Sequence, residues 1–369
     1  MSVNSNKPEH AHKPAGIAGA ASGLPHQQQN VGMERESPAV SSEATSNDAV
    51  FVPRRFLRNN HLQTLAGNFL PRKSRLPEPE ERLFQVEEDV QILCHCHWQP
   101  QHGTRPTVVI IHGLEGSSLS QYVIGVGSKA WDAGMNVVRM NMRNCGGTDH
   151  LTPTLYHSGL SSDVGGVVRA LIEQDKLQRI GLAGYSMGGN LVLKLAGEWG
   201  SNAPSELKAV AAVSPAADLA ASADAMHTLA NRMYEWRFLR GLKRRYRRKR
   251  TLFPAIYHAT RRPRSIREFD DIITARYSGF TGAEDYYNCA AASRVVDKIA
   301  VPALVIHSTD DPFIRMLPET RSKFLANPHV TLVETQHGGH CAFLAEANGY
   351  DGRWAERQIV QFLLRHGMA

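Results

Sequence analysis

Six continuous apolar runs, separated by stretches of helical length, constrain this chain more than any other feature. They are TVVIIHG from Thr107, MNVVRMNMR from Met135, RIGLAGYS from Arg179, AVAAVSP from Ala209, ALVIHS from Ala303 and VTLVE from Val330. Strands this uniformly apolar suit a parallel sheet buried on both faces by helices. The intervening segments, about Gln121 to Ala133, Asp163 to Gln174, Gly188 to Trp199, Leu317 to Leu325 and Asp351 to Arg365, supply those helices. Upstream, Arg82 to Val86 and Gln91 to Trp98 alternate apolar and polar and read as an antiparallel pair. The economical fold class is α/β: a mostly parallel, eight-stranded, doubly wound sheet with helices on both faces.

Residues 1–48 are rich in Ser, Ala, Asn, Gln, Gly and His and have no apolar periodicity, so they are expected to form a disordered tail before a domain over 49–369. Within that domain, about 216–300 contains no clear strand and is expected to form a helical cap over the carboxyl ends of the strands. No stretch approaches the roughly 18 apolar residues of a membrane span, and the N-terminus lacks the apolar core of a signal peptide. Five scattered cysteines do not resemble a disulfide framework. These features together point to a cytoplasmic protein with reduced thiols.

Gly184-Tyr185-Ser186-Met187-Gly188 follows an apolar strand and leads directly into a helical pattern, which is the context a G-x-S-x-G turn requires. Its glycines permit a tight turn that lifts the Ser186 hydroxyl to the head of a helix, where the Met187 amide can stabilise negative charge. A serine hydroxyl is a poor nucleophile unless a histidine takes its proton, and that histidine needs a carboxylate to orient it. With this turn the chain order is Ser, acid, His.

The ALVIHS strand is followed by Asp310-Asp311-Pro312, and VTLVE by His337-Gly338-Gly339-His340. Asp311 is preferred as the acid because a residue before proline is held extended and turns out of the strand; Asp310 and Asp218 remain as alternatives. His340 is preferred as the base because the preceding glycines free its loop, which leaves His337 a supporting role. The second oxyanion donor is expected in His112-Gly113-Leu114-Glu115-Gly116, at the Leu114 amide, with His112 shaping the turn.

On these residues the chain resembles the YheT-like branch of the α/β-hydrolase superfamily, related to the plant embryogenesis-associated hydrolases. The matching stretches are Asn60-His61-Leu62-Gln63-Thr64, HGLEGS, NMRNCGGT, LYHSGLSSD, GYSMGGN, SIREFDDIITARYSGF with DYYNCAA, DDPF and GGHCAF, within about 51–345. The resemblance implies an α/β-hydrolase fold, the triad Ser186, Asp311 and His340, and hydrolysis of carboxylic or lipid esters. It assigns nothing to the tail or to the arginine-dense run.

That run, from Arg237 to Arg264, holds twelve Lys/Arg and no acid, which leaves −5 for the rest of a chain whose net charge is +7. A solvated face of a cap helix is the simplest account, with Trp236, Leu239, Leu242 and Tyr246 on its buried side. Peripheral contact with anionic membrane comes next. Nucleic-acid binding is disfavoured because no nucleic-acid motif accompanies the charge.

Cys94-His95-Cys96-His97 sits on an expected edge strand, whose alternation sends thiols and imidazoles to opposite faces, so no metal site is expected. Asn60 to Thr64 and Arg143 to Gly147 are expected in loops with structural hydrogen bonds. The leading function is a serine ester hydrolase that needs no cofactor and acts on a small-molecule or lipid ester. Acyl transfer through the same acyl-enzyme, and a non-catalytic basic module, are the alternatives.

Overall fold

A computed structural model describes residues 50–369; the tail expected over 1–48 lies outside the described residues. Strands β1 (Glu80–Glu87) and β2 (Val90–His97) form an antiparallel hairpin, and β2 also pairs antiparallel with β4 (Asn136–Met140). From β4 onward all pairing is parallel, through β3 (Thr107–Ile111), β5 (Ile180–Tyr185), β6 (Leu207–Val213), β7 (Ala303–Ser308) and β8 (Val330–Thr335). The eight strands lie in the order β1-β2-β4-β3-β5-β6-β7-β8. The order reverses between β3 and β5, so the loops leaving those strands face each other across a crevice, where sheets of this kind place their ligands.

Alternate residues of each apolar run serve opposite faces. Val108 and Ile110 pack with α2 (Gln121–Asp132) and α10 (Trp354–Leu363), while Val109 and Ile111 belong to the core of α3 (Ser161–Glu173) and α4 (Met187–Trp199). A ninth helix, α9 (Pro318–Ala326), adds Phe324 to that second core. Burial on both faces suits a strand as apolar as β3, in which Thr107 is the one polar residue.

Three readings of the sequence need correction here. VTLVE becomes β8 but is only half-buried, because it ends the sheet and has a neighbour on one side alone. The Cys-His-Cys-His strand is β2, second in the sheet; β1 is the edge, and Cys94 and Cys96 face the core while His95 meets Ser118 and His97 meets Arg139. Asn60 to Thr64 form no loop but open helix α1 (Asn60–Phe69), capped by the Asn59 side chain accepting from the Leu62 amide.

Between β6 and β7 the described residues form helices and connecting turns only: α5 (Leu219–Met226), α6 (Arg232–Leu252), α7 (Ile266–Phe269) continuing into a π-helical turn over Asp270–Ala275, and α8 (Ala283–Ala290). Leu239, Leu242 and Tyr246 of α6 are buried, whereas Trp236 is 61% exposed and does not share their side. The basic run is not uniformly solvated either. Lys249 is fully buried and donates to the Asp149 and Thr152 carbonyls, with burial lowering its pKa to about 8. Arg245 reaches Glu115 and the Asn144 carbonyl, and Arg248 pairs with Asp149. These three cations tie α6 to the loops after β3 and β4.

The crevice depends on close backbone packing. A Cβ on Gly188 would stand 2.4 Å from the His112 carbonyl oxygen and 2.5 Å from that of Ile111, which are rigid backbone atoms at the end of β3. Gly188→Ala is therefore expected to destabilise the fold by about 1–3 kcal/mol or more, read as a lower urea midpoint than that of the parent chain.

Candidate active site

Ser186 occupies the turn between β5 and α4 with φ 55° and ψ −116°, a strained backbone for a residue with a Cβ. The turn is closed from both ends. A Cβ on Gly184 would lie 2.2 Å from the Gly188 carbonyl oxygen, so only glycine lets the strand end and the helix start cross this closely. The Ser186 amide donates to the Val213 carbonyl at 2.9 Å, and the Ser186 carbonyl accepts from Asn190 at 3.0 Å and Ala216 at 3.2 Å. The strain is thus held by β6 and α4. Of the eight described non-glycine residues with positive φ, six (Glu115, Asn144, Ser186, Ser214, Cys341 and Phe343) lie on loops beyond the carboxyl ends of parallel strands. Such clustering marks a functional edge.

His340 and Asp311 come together at this edge: Nδ1 is 2.8 Å from Oδ2, and the Asp311 side chain is fully buried. The other Asp311 oxygen accepts from the amides of Phe313 at 3.1 Å and Ile314 at 2.9 Å, which fixes the carboxylate in place. The Phe313 ring packs against the imidazole, centroids 4.4 Å apart.

Asp310 points elsewhere. It accepts from the Gly339 amide at 3.0 Å and from the Ser308 hydroxyl, and faces His337 Nδ1 at 3.4 Å, so it braces the histidine loop. Asp218 is occupied with the Leu317 amide and the Thr320 hydroxyl. His112 contacts the Gly113 carbonyl and accepts from the Met142 amide, shaping the turn after β3. Arg143 grips Asp163 through two nitrogens, at 2.7 and 2.5 Å, and also reaches Glu87, joining the loop after β4 to α3 and the hairpin.

Several contributors were not read from the sequence. Helix α1 holds the histidine loop: the His340 amide donates to Thr64 Oγ1 at 2.8 Å, and Gln63 accepts from the Leu344 amide at 2.8 Å. Asn59 before Leu62, Leu65 and Phe69, at three- and four-residue spacing, was the available signal for that helix. Glu115, at φ 56°, follows Leu114 and is clamped by the Tyr156 hydroxyl at 2.8 Å and Arg245 at 3.1 Å. The Leu114 amide has no partner among the described residues, and the Met187 amide opens α4, where helical N–H groups lack intrahelical acceptors.

Ser186 borders two spaces. One is a chamber beneath the cap, walled by apolar side chains such as Leu219, Met226, Leu242, Ile266 and Phe269. The other is a more polar mouth bounded by Thr64, Phe69, Leu119, Arg237 and His340. His340 Nε2 faces Cys341 Sγ at 3.4 Å, and Ser186 Oγ makes no hydrogen bond among the described residues. Burial alone would lower the His340 pKa, but the Cys341 sulfur and the Asp311 carboxylate outweigh it and hold the imidazole above its ordinary value.

A family model described as the alpha/beta hydrolase fold matches residues 106–347, about two thirds of the chain. The chain belongs to the α/β-hydrolase family. Its place there is the branch of YheT of Escherichia coli (strain K12), to which this hydrolase is 32% identical over 86% of its own length and 94% of YheT. Mouse phospholipase ABHD3 is 30% identical over 72% of this hydrolase and 65% of that protein. An esterase structure from Pyrococcus furiosus superposes with a TM-score of 0.54 at 18% identity, covering 78% of this hydrolase and 91% of the esterase, a likeness of fold alone. Family membership makes the chain an α/β-hydrolase-type enzyme and sets aside the reading as a basic module without catalysis.

A base must be neutral to accept a proton, so a raised pKa places the rise of activity at higher pH. Cys341→Ala removes one of the groups that raises it. The ascending limb of kcat/KM against pH is expected to move to lower pH in this variant; an unmoved limb would show that the sulfur does not act on His340.

Proposed function

We propose that this hydrolase cleaves carboxylic esters through an acyl-enzyme on Ser186, with His340 as general base and acid and Asp311 as the group that orients it. Ser186 Oγ adds to the ester carbonyl while its proton passes to His340 Nε2. The carbonyl oxygen takes up negative charge, stabilised by the Leu114 and Met187 amides. Collapse expels the alcohol, which leaves with the proton held on Nε2. Water then attacks the acyl carbonyl as it passes one of its own protons to His340 Nε2, and collapse hands that proton to Ser186 Oγ as the acid departs. In the substrate complex Nε2 turns from Cys341 toward Ser186; catalytic hydrogen bonds commonly tighten only when substrate is bound.

The observation that carries this reading is the strained Ser186 standing where the apolar chamber meets the polar mouth, beside a His340–Asp311 pair at 2.8 Å. The chamber also supports a lipid ester: it receives the acyl chain, and the alcohol portion lies in the mouth. The names of relatives, among them a phospholipase and a yeast monoacylglycerol lipase, agree with that substrate class.

Ser186→Ala is expected to lower ester turnover by several orders of magnitude without unfolding the chain, because removing a nucleophile leaves only binding and oxyanion effects. Asp311→Asn should be more damaging than Asp310→Asn by roughly a factor of 10 or more, since only Asp311 fixes the imidazole tautomer. Retained turnover in Ser186→Ala, or the reverse order of the aspartate variants, contradicts the assignment. For the acyl group, a series of p-nitrophenyl esters is expected to show kcat/KM rising about fourfold per added methylene until the chamber is filled, equivalent to about 0.8 kcal/mol for each buried CH₂. A flat or falling series argues against a lipid acyl chain.

A further inference from the structure

The basic residues of α6 form two populations. Arg245 and Lys249 turn toward the sheet domain and are engaged by Glu115 and backbone carbonyls, and the exposed Arg248 pairs with Asp149. Arg237, Arg240, Arg244, Arg247 and Arg250 are exposed and have no carboxylate within 4.0 Å among the described residues. Positions 233, 236, 237, 240, 244 and 247 recur at three- and four-residue spacing, so they share one outward face of the helix.

That face is not only cationic. Met233 is exposed on it beside Trp236, and the Arg240 guanidinium lies 5.5 Å from the Trp236 ring centroid. Arg237 reaches over the Phe69 ring of α1 at 5.7 Å, which makes the two helices neighbours at the rim of the mouth leading to Ser186. On the same rim, Phe69 is 63% and Leu119 61% exposed. Large apolar side chains held in water beside unpaired arginines, around the entrance to an apolar chamber, need a partner that offers hydrocarbon and negative charge together.

We propose that this face docks on an anionic lipid surface and presents the mouth of the site to it. The proposal rests on the reading of Ser186 as an ester-cleaving nucleophile. Arg240, Arg244 and Arg247 approach the phosphate layer while Trp236, Met233 and the rim residues Phe69 and Leu119 enter the boundary between headgroups and acyl chains. The net charge of −5 outside the basic run repels the same surface elsewhere, so attraction also orients the molecule. A nucleic acid would meet the charge but leave Met233, Phe69 and Leu119 without apolar contact.

The test is co-sedimentation of the purified full chain with vesicles of phosphatidylglycerol and phosphatidylcholine, or of phosphatidylcholine alone, at low and high salt. Binding is expected to the anionic vesicles and to weaken with salt, as screening requires. The triple variant Arg240→Gln, Arg244→Gln, Arg247→Gln should bind on the order of 100-fold more weakly, at about 1 kcal/mol per charge. Trp236→Ala should weaken binding as well, and both variants should turn over a soluble short-chain ester like the parent. Ser186→Ala should bind vesicles like the parent, so a failure of the catalytic reading leaves this result distinct. No binding to anionic vesicles at low salt, undiminished binding by the arginine variant, or loss of its soluble-ester turnover overturns the proposal. Displacement of the vesicles by a short RNA duplex that the arginine variant no longer binds overturns it in favour of nucleic acid.

Discussion

The site depends on how closely the start of α4 crosses the end of β3. Gly188 lies so near the Ile111 and His112 carbonyls, and Gly184 so near Gly188, that no Cβ fits at either position. Between these two contacts Ser186 has one way to turn, and that way requires positive φ. The strain persists because the Val213 carbonyl and the amides of Asn190 and Ala216 hold the Ser186 backbone on both sides. The same crossing brings the HGLEG loop, with the Leu114 amide, opposite the N-terminus of α4. The position of Ser186 beside Leu114 and Met187 is a consequence of that packing.

Around that crossing the remaining parts arrive from distant segments. Asp311 comes from the end of β7 and His340 from beyond β8, and α1, some 280 residues earlier in the chain than the histidine loop, fastens that loop through Thr64 and Gln63. Helix α6 reaches back through Arg245 to Glu115, next to Leu114, so the cap and the loop after β3 share one ionic contact with little exposure to water. The basic run therefore does two jobs. Its inward cations shape the site, and its outward arginines face the surroundings of the mouth.

Much of this was legible in the sequence because its cause is local. The apolar runs announced buried parallel strands, and the glycines flanking Ser186 announced the elbow. Pro312 after Asp311 separated two adjacent acids that composition could not tell apart, and the structure joins Asp311 to His340 and Asp310 to the Gly339 amide. What was not legible depends on tertiary neighbours. The position of β8 at the sheet edge follows from strand order and not from its own composition. Lys249 and Arg245 look like any surface cations in sequence, and only the carbonyls and carboxylate they meet across α6 make them internal. Trp236 fits the apolar stripe by spacing but projects outward, and at that level of α6 Glu235 and Tyr234 are the buried residues. Cys341 gave no signal at all: its place beside His340 Nε2 follows from the positive φ of a loop held by Thr64.

The central claim is that the acyl group is carried on Ser186. The most direct measurement is peptide mapping by mass spectrometry after acid quenching of the parent chain during turnover of a slow ester. The account predicts the acyl mass on the peptide that contains Ser186 and its disappearance in Ser186→Ala. An acyl mass on the peptide that contains Cys341, whose sulfur already touches the histidine, or sustained turnover with no covalent adduct, would contradict it.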